Sequence, residues 1–221
     1  MHQVFFLIKR TKPFFSPFII FYCTIMETKL KKIRNELKSK KGKSHWSEGL
    51  LQAMKDPELI VFEDKSTVAL YDLYPKASFH YLVCPKKNLP SIKSVEVKHL
   101  DLLKHMHEVA EKLCNKHENV NFLIGYHSIP SMIRLHLHVI STDFDSPCMK
   151  TKKHWNSFTT EFFLPSDMVI RELENSGKLS FKTTSEYKNF LDKKLKCHKC
   201  DYEPKHMPDL KQHAKIHFTS D

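Results

Sequence analysis

Arg134-Leu-His136-Leu-His138-Val-Ile140 is the stretch that decides the fold, because apolar and polar residues alternate along its whole length. A period of two is typical of a β-strand that buries one face. The apolar residues predicted to face the core are Leu135, Leu137 and Val139. The polar residues predicted to share the opposite face are Arg134, His136 and His138. Imidazoles along one face favour a functional site, although a solvent-facing strand or a metal-binding ladder has the same pattern.

Runs of strand-forming residues around this stretch predict an α+β domain over residues 44–180. We expect strands at 59–62, 68–73, 79–83, 120–126 and 133–141. Apolar residues at helical spacing predict a short helix that contains Trp46 and ends at Pro57, and a longer helix capped by Ser94. A lysine-rich loop then leads to another helix at 166–175. These elements predict a mainly antiparallel sheet with covering helices.

Residues 1–43 form an N-terminal extension that is partly apolar and partly basic. Its apolar run is shorter than the ~20 residues of a membrane helix, so we expect no membrane partner. An organelle-targeting segment and a start of the working protein at Met26 are both open interpretations. Residues 27–44 predict a solvated helix or a disordered arm, which contacts DNA, directs nuclear import or serves as a charged linker.

The composition favours a polyanionic partner and a reducing compartment. The chain has 36 Lys and Arg residues against 25 Asp and Glu residues, and its formal net charge is +11. Cationic side chains gain free energy when they displace counterions from phosphates. Apart from Cys197 and Cys200, the cysteines are scattered, unlike the framework of a small secreted disulfide scaffold. With four glycines, the chain has no glycine-rich phosphate loop.

The spacing Cys197-x2-Cys200-x12-His213-x3-His217 predicts a zinc finger over residues 190–221. Two thiolates on a tight knuckle and two imidazoles one helical turn apart meet one metal ion tetrahedrally. We therefore expect one structural Zn²⁺, with Leu210 in the apolar core of the finger helix. Lys211 and Lys215 on that helix predict DNA contact, and a zinc-stapled module that binds nothing is the alternative.

Several motifs, in one order along the chain, resemble those of the aprataxin family of histidine-triad proteins. They are HWSEGL at 45–50, YPKASFHYLVCPK at 74–86, YHSIPSMIRLHLHVISTDFDSPCMKTKKHWNSF at 126–158, and the terminal finger. The third motif contains a segment similar to the signature His-φ-His-φ-His-φ-φ of nucleotide hydrolases and transferases, in which φ is apolar. The resemblance covers residues 44–218 and implies the histidine-triad fold.

The resemblance also implies a function in single-strand break repair in the nucleus. Members remove AMP from the adenylated 5′ ends of damaged DNA that abortive ligation leaves behind. By this resemblance His136 attacks the adenylate phosphorus and forms a covalent AMP–histidine intermediate, from which water releases AMP. A neutral imidazole suits this role, so we expect no catalytic metal, and we expect a monomer.

The same resemblance assigns supporting roles. The groups expected around the phosphoryl charge are His127, His138, Lys153, Arg134 and the region of Ser131. The groups expected to bind the nucleotide are Leu70, Tyr71, Asp72, Ser131 and Met132, with Asp72 on the ribose. Core packing is an equal alternative for Leu70, and His80 is expected to be a buried structural histidine. Trp46 either stacks on the terminal base pair or lies in the core, and Lys152 is expected to contact DNA.

Two departures from the family pattern bear on these expectations. Arg134 stands where the first histidine of the triad belongs, and we expect it to hold a phosphate in place of that imidazole. No segment resembles the forkhead-associated domain of many members, which argues against docking onto phosphoproteins. Two other functions stay open: a general histidine-triad hydrolase of small nucleotides, and a non-enzymatic DNA-binding protein whose triad has decayed.

Overall fold

A computed structural model of the chain describes residues 17–39 and 49–219, with side chains at 25–36 and 49–218. The helices are α1 Pro17–Ser39, α2 Gly49–Ala53, α3 Leu100–Cys114, α4 Lys152–Thr159, α5 Ser166–Ser176, α6 Thr184–Asp192 and α7 Met207–Thr219. The strands are β1 Ile60–Glu63, β2 Thr67–Tyr71, β3 His80–Pro85, β4 Phe122–His127, β5 Leu137–Ser141 and β6 Phe163–Pro165. Trp46 lies outside the described residues. Among the helices in the described ranges, none is long and apolar enough to cross a membrane.

The six strands form one sheet in the order β1-β2-β3-β5-β4-β6. Every neighbouring pair is antiparallel, which confirms the predicted α+β arrangement. β5 lies between β3 and β4, with His138 opposite Leu82 on one side and Gly125 on the other. The histidine stretch therefore ends in the middle of the sheet, where neighbouring strands fix its position.

One face of the sheet is covered by α3 and α5. These helices bury an apolar stripe formed by Leu103, Met106, Val109, Ala110, Leu113, Val169 and Leu173. Leu137 and Val139 of β5, and Leu135 just before it, pack into the same cluster, as the alternation predicted. Since successive residues of a strand point to opposite faces, His138 lies on the other side of the sheet.

The start of α3 differs from the prediction. The helix begins at Leu100, so the expectation that Ser94 caps it is wrong. Ser94 instead ends a 3₁₀ turn over Ile92–Ser94, and a second turn follows over Val97–His99. Ile92 and Val95 are buried in the core under α3. The tight 3₁₀ turns of this segment let both side chains reach that core.

The opposite face of the sheet carries two hydrophobic clusters. In the first, α1 and α2 cover β1, β2 and β3, and their buried residues Leu30, Ile33, Leu50 and Ala53 pack with Leu70 and Leu82. Residues 27–39 are thus helical, as one of the two interpretations held, but they are not fully solvated. Leu30 and Ile33 lie one helical turn apart, and this short apolar pair holds α1 against the sheet.

The second cluster, called here the joint cluster, connects the sheet with the C-terminal finger. Its buried residues are Ala77, Ile140, Phe144, Met149, Trp155, Phe158, Phe163, Leu195, Cys197, Met207, Leu210 and Ala214. Trp155 is completely buried in it, and its indole N–H donates to the Lys196 carbonyl at 2.9 Å. The two predicted units, residues 44–180 and 190–221, therefore share apolar core.

Two predicted boundaries around the joint cluster are wrong. β5 begins at Leu137 rather than at Ile133, because Arg134 has a φ of 144° and leaves the extended path. The predicted lysine-rich loop is partly helical, since Lys152 and Lys153 form the first turn of α4. Thr151 caps this helix, and its hydroxyl accepts the His154 amide at 3.2 Å.

Gly125 of β4 leaves no room for a side chain. A Cβ added there would lie 2.4 Å from the Leu164 carbonyl oxygen and 2.6 Å from Cε1 of Phe163. We expect Gly125→Ala to lower the free energy of unfolding by about 2–3 kcal/mol in urea denaturation, because β6 must move away from β4. Gly49→Ala is the matched control, since nothing lies within 4 Å of its added Cβ. Equal stability of the two variants would contradict this close approach.

Candidate active site and metal centre

His136 presents an unprotonated ring nitrogen because of its bond to the backbone. Its Nδ1 lies 2.7 Å from the carbonyl oxygen of Arg134. A carbonyl only accepts, so Nδ1 carries the proton and Nε2 keeps its lone pair. Burial lowers the pKa of His136 from its ordinary value, against the effect of this bond and of Asp72. The result is a buried, neutral imidazole with a nucleophilic nitrogen.

His138 has the opposite tautomer, and His80 sets it. The Lys76 amide donates to Nδ1 of His80 at 3.2 Å, so His80 carries its proton on Nε2. That Nε2 lies 3.0 Å from Nδ1 of His138 and donates to it. His138 is left with its proton on Nε2, a buried atom with no hydrogen-bond partner among the described residues. His80 is buried, as predicted, but it also fixes the donor of a site residue.

His127 and Phe158 enclose the same imidazoles. The ring centroids of His127 and His138 are 4.3 Å apart, and those of His136 and His138 are 4.9 Å apart. Phe158 of α4 packs against His127 at 4.7 Å and against His138 at 5.4 Å. Burial, with a smaller effect of His136 and His80, lowers the pKa of His127 to about 3. The four residues His80, His127, His136 and His138 are called here the histidine cluster.

Asp72 borders the histidine cluster on its polar side. Its Oδ1 accepts the Tyr74 amide at 2.7 Å, and its Oδ2 lies 3.4 Å from Nδ1 of His80. Burial alone would raise the pKa of Asp72, but its interaction with His80, the positive charge of Lys76 and the Tyr74 amide hold it below its ordinary value. Burial lowers the pKa of His80 to about 4, so its ring is neutral and Nδ1 accepts from Lys76 rather than donating to Asp72.

Asp72, His80 and His138 place their donor atoms within 4.8 Å of one another, the spacing of a metal site. The facing nitrogens of His80 and His138 are already joined by their hydrogen bond. The Lys76 charge nearby also opposes a cation. This donor set therefore fits a hydrogen-bonded relay better than a metal centre.

Lys76 is a site residue that the sequence analysis did not single out. It lies in the turn between β2 and β3, and its Nζ donates to the Tyr74 carbonyl at 2.5 Å. Burial is the main cause of the low pKa values of His80, His127 and His138, and the positive charge of Lys76 adds to it in each case. Its position in the quoted segment at 74–86, four residues before His80, was the available signal.

The low pKa values of the histidine cluster predict a loss of stability in acid. The pKa is about 3 for His127 and about 4 for His80 in the folded chain, against about 6.5 in the unfolded chain. Below pH 6.5 the unfolded state binds more protons, so stability falls as the pH drops. We expect the free energy of unfolding to fall by at least about 2 kcal/mol between pH 7 and pH 4.5, measured in urea.

The control for this prediction is His127→Gln, which keeps a polar side chain that does not titrate in this range. This variant should lose less stability than the wild type over the same pH interval. An identical pH dependence of the two proteins would contradict the assignment of a depressed pKa to His127.

The predicted nucleotide-binding residues occupy different environments. Leu70 is buried in the cluster under α1 and α2, which is the core alternative that the sequence left open. Tyr71 is half-buried, with its ring 5.2 Å from that of Tyr81. Met132 packs at the edge of the same cluster, and Ser131 is exposed on the loop before Arg134. Of this set, Asp72 contacts the histidine cluster through His80.

The side chains of Arg134 and Lys153 have their described polar partners outside the histidine cluster. The Arg134 guanidinium donates to the Pro85 carbonyl at 3.1 Å, to the Lys86 carbonyl, and to Oδ1 of Asn88 at 3.2 Å. Arg134 also lies before β5, so the predicted strand face does not extend to it. Lys153 is exposed, with its Nζ 3.6 Å from Oδ1 of Asp192. The backbone of the Arg134 loop, not its side chain, contacts the site.

The lysines predicted to contact DNA make intramolecular bonds. Lys152 donates to the Asp192 carbonyl at 3.1 Å from an exposed position. Lys211 of α7 donates to the Ser146 carbonyl at 2.7 Å, and Lys215 pairs with Asp145 at 3.0 Å. The two α7 lysines thus fasten the finger to the turn after β5, a role that the sequence did not reveal.

The four predicted metal ligands converge on one point. All their ligand atoms lie within 4.8 Å of one another. Cys200 Sγ is 3.1 Å from Nε2 of His213, which is 3.2 Å from Nε2 of His217. Two sulfurs and two imidazole nitrogens this close match a tetrahedral Zn²⁺ site of the structural kind. Tyr202 stacks on His213 with ring centroids 4.2 Å apart, and Cys197 is buried.

Comparison with known proteins divides the chain at α4. Residues 45–154 match the family described as scavenger mRNA decapping enzyme C-term binding, and residues 159–220 match the C2HE / C2H2 / C2HC zinc-binding finger. Aprataxin of Gallus gallus is 49% identical over 178 residues, covering 79% of this chain and 56% of that protein. An aprataxin-like protein of Saccharomyces cerevisiae is 30% identical over 160 residues, covering 57% of this chain and 72% of that protein.

A solved structure shares the fold. The aprataxin ortholog Hnt3, crystallised in complex with DNA, superposes with a TM-score of 0.65 at 22% identity, covering 79% of this chain and 95% of that one. The chain spans about half the length of the vertebrate relatives it matches. The chain belongs to the aprataxin family.

Proposed function

We propose that this protein is a DNA-end-repair hydrolase that removes AMP from adenylated 5′ ends of DNA. The pair of opposite tautomers at His136 and His138 carries the proposal. One ring offers a lone pair at Nε2 and the adjacent ring offers a buried N–H, which are the groups that attack phosphorus and stabilise a phosphoryl oxygen. Membership of the aprataxin family supports it, and so does the DNA complex of the ortholog Hnt3.

In the first step, Nε2 of His136 attacks the phosphorus of the adenylate. A P–N bond forms, and the bond from that phosphorus to the oxygen of the DNA 5′-phosphate breaks. The Nδ1–H of His136 bonded to the Arg134 carbonyl stabilises the positive charge that develops on the ring. The N–H of His138 at Nε2 donates to an oxygen of the transferring group. His127 lies against His138 as a neutral ring, and it is our candidate for a hydrogen bond to the leaving phosphate rather than for a proton donor.

In the second step, water attacks the phosphorus of the AMP–histidine intermediate. The P–N bond breaks, AMP leaves with the oxygen of that water, one proton of the water passes to solvent, and His136 returns to its neutral form. Phe158 and the packed rings around it limit the access of other water to the histidine cluster, which protects the intermediate. The products are AMP and a DNA end that carries a 5′-phosphate.

The rest of the molecule serves to hold the substrate. Asp72 borders the site and is our candidate for the ribose hydroxyls, while Lys76 supplies a positive charge close to His80. Cys197, Cys200, His213 and His217 would hold one structural Zn²⁺, which would fix the finger against the joint cluster. The net charge of +11 suits a DNA partner in the nucleus, and the protein acts as a monomer in this proposal.

The test is a duplex that carries a nick with an adenylated 5′ end, labelled on that strand and resolved on a denaturing gel. We expect release of AMP and a strand that ends in a 5′-phosphate, and an adenylylated protein in the intact mass after an acid-free quench. The same duplex with a plain 5′-phosphate is the matched substrate control. A protein that binds the adenylated duplex without turnover would contradict the proposal and favour the decayed-triad interpretation.

A general hydrolase of small nucleotides is the second candidate. The observation in its favour is that Lys211 and Lys215 are engaged with the turn at Asp145 and Ser146, which leaves the finger helix fewer cations for DNA. Deleting residues 190–221 would not decide between the two, because the deletion exposes the joint cluster.

Salt dependence decides between them in the intact chain. We expect kcat/KM for the adenylated duplex to fall steeply with salt, and kcat/KM for an adenosine phosphoramidate to be lower and nearly independent of salt. A higher kcat/KM for the phosphoramidate at physiological salt would favour the small-nucleotide hydrolase.

A further inference from the structure

Arg134 connects two segments of the chain that are far apart in sequence. Its Nη2 donates to the carbonyls of Pro85 and Lys86, and its Nη1 donates to Oδ1 of Asn88. These acceptors belong to the end of β3 and the turn after it. Both hydrogens of Nη2 are therefore used within the protein, which leaves that end of the guanidinium none for a substrate phosphate.

The backbone of the same residue is held in an unusual conformation. Its φ of 144° is one that residues with a Cβ rarely adopt, so surrounding contacts must maintain it. The amide of Arg134 donates to the Pro90 carbonyl at 3.0 Å, and the amide of Leu135 donates to the Leu89 carbonyl at 2.7 Å. The backbone of this segment is thus bonded to residues 89–90, and the Arg134 guanidinium adds hydrogen bonds to residues 85–88.

The carbonyl of Arg134 is the group that fixes the tautomer of His136. Its direction depends on the backbone angles of Arg134, and those depend on the connection to residues 85–90. We propose that Arg134 is a positioning residue, whose guanidinium holds the loop so that its carbonyl faces Nδ1 of His136. The role given to His136 rests on the proposed function, but the geometry of the carbonyl does not. Arg134 thus replaces the first triad histidine with a side chain that acts on the backbone.

The first test reads the tautomer without substrate. Long-range proton–nitrogen NMR of the histidine rings should show His136 as one tautomer, with the proton on Nδ1. We expect Arg134→Ala to give a mixture of tautomers. Arg134→Lys should behave in the same way, because an ammonium cannot match three acceptors around a planar fork. Lys87→Ala, which removes a positive charge from the same exposed turn, is the matched control and should keep the wild-type tautomer.

The second test separates positioning from phosphate binding. If Arg134 positions the nucleophile, Arg134→Ala and Arg134→Lys should lower kcat for AMP release by about 10–100-fold, with KM changed by less than about twofold. A raised KM with unchanged kcat and unchanged tautomer would mean that Arg134 holds a phosphate, and would overturn the proposal. An unchanged tautomer together with unchanged kinetics in both variants would overturn it as well.

Two further results keep the test decisive. If Arg134→Ala does not fold, Asn88→Ala removes one acceptor of the guanidinium and should shift the tautomer in the same direction, to a smaller extent. An unchanged tautomer in that variant and in Arg134→Lys would overturn the proposal. If the wild type releases no AMP, the proposed function fails, while the NMR comparison still decides whether Arg134 positions His136.

Discussion

Replacing His136 with alanine is expected to lower the single-turnover rate of AMP release by about 10⁴-fold or more. The lone pair at Nε2 of His136 is the attacking group in the proposed mechanism, and the adjacent His138 cannot substitute for it. His138 carries its proton on the nitrogen that would have to attack, because His80 donates to its other nitrogen.

The measurement is a rapid-quench assay with excess enzyme and the nicked adenylated duplex. Binding of that duplex should stay within about twofold of the wild type, because alanine removes only the imidazole. His206→Ala is the matched control, since this histidine is exposed in the finger and is not one of the four metal ligands. An adenylylated protein that still accumulates in His136→Ala would show that another residue is the nucleophile.

The periodic features of the fold could be predicted from the sequence. Alternation from Leu135 to Val139 reports which side chains are buried, and the structure places those residues under α3 and α5. The helix predicted at 166–175 is present as Ser166–Ser176. The Cys197 to His217 spacing is equally local, because the metal chemistry depends on the distances along a knuckle and a helix. The alternation and the ligand spacing are both set by residues close together in the sequence, so they can be recognised without knowledge of distant contacts.

Features that depend on distant contacts could not be predicted. The alternation includes Arg134, yet β5 begins only at Leu137. Arg134 instead donates hydrogen bonds to backbone carbonyls of residues 85, 86 and 90, far away in the sequence. Likewise, the sequence predicts that Lys211 and Lys215 contact DNA, but it does not show that they bind Ser146 and Asp145 in the turn after β5. The sequence of a helix shows which residues are charged, but not which groups those side chains bind.

One missed element did have a local signal. Lys152 and Lys153 suggested a loop by their charge, but Thr151 before them is a good helix cap, and Trp155 and Phe158 follow at helical spacing. The two aromatic residues are buried, one in the centre of the joint cluster and the other against the histidine cluster. The apolar spacing of this segment was a better guide than its charge.

Removing zinc is the second prediction with a large effect, and it should disturb more than the finger. Loss of a structural zinc ion costs finger folds about 10 kcal/mol or more of binding free energy, so we expect the free energy of unfolding to fall by about 5 kcal/mol or more. Cys197, Leu210 and Ala214 belong to the joint cluster, so unfolding of the finger takes away part of the cover of Trp155. Cys200→Ser should reproduce the effect of a chelator.

Trp155 reports this change directly. In a Trp46→Phe background it is the remaining tryptophan, and its emission should shift to the red when its buried indole meets water. Cys114→Ser is the matched control, because Cys114 is a free thiol at the end of α3, far along the chain from the finger. It should keep both zinc and the wild-type emission.

AMP release should fall together with the spectral change, since Phe158 of the same helix packs against His127 and His138. A metal-free protein with unchanged emission and full activity would show that the finger and the histidine cluster are independent, despite the apolar core between them.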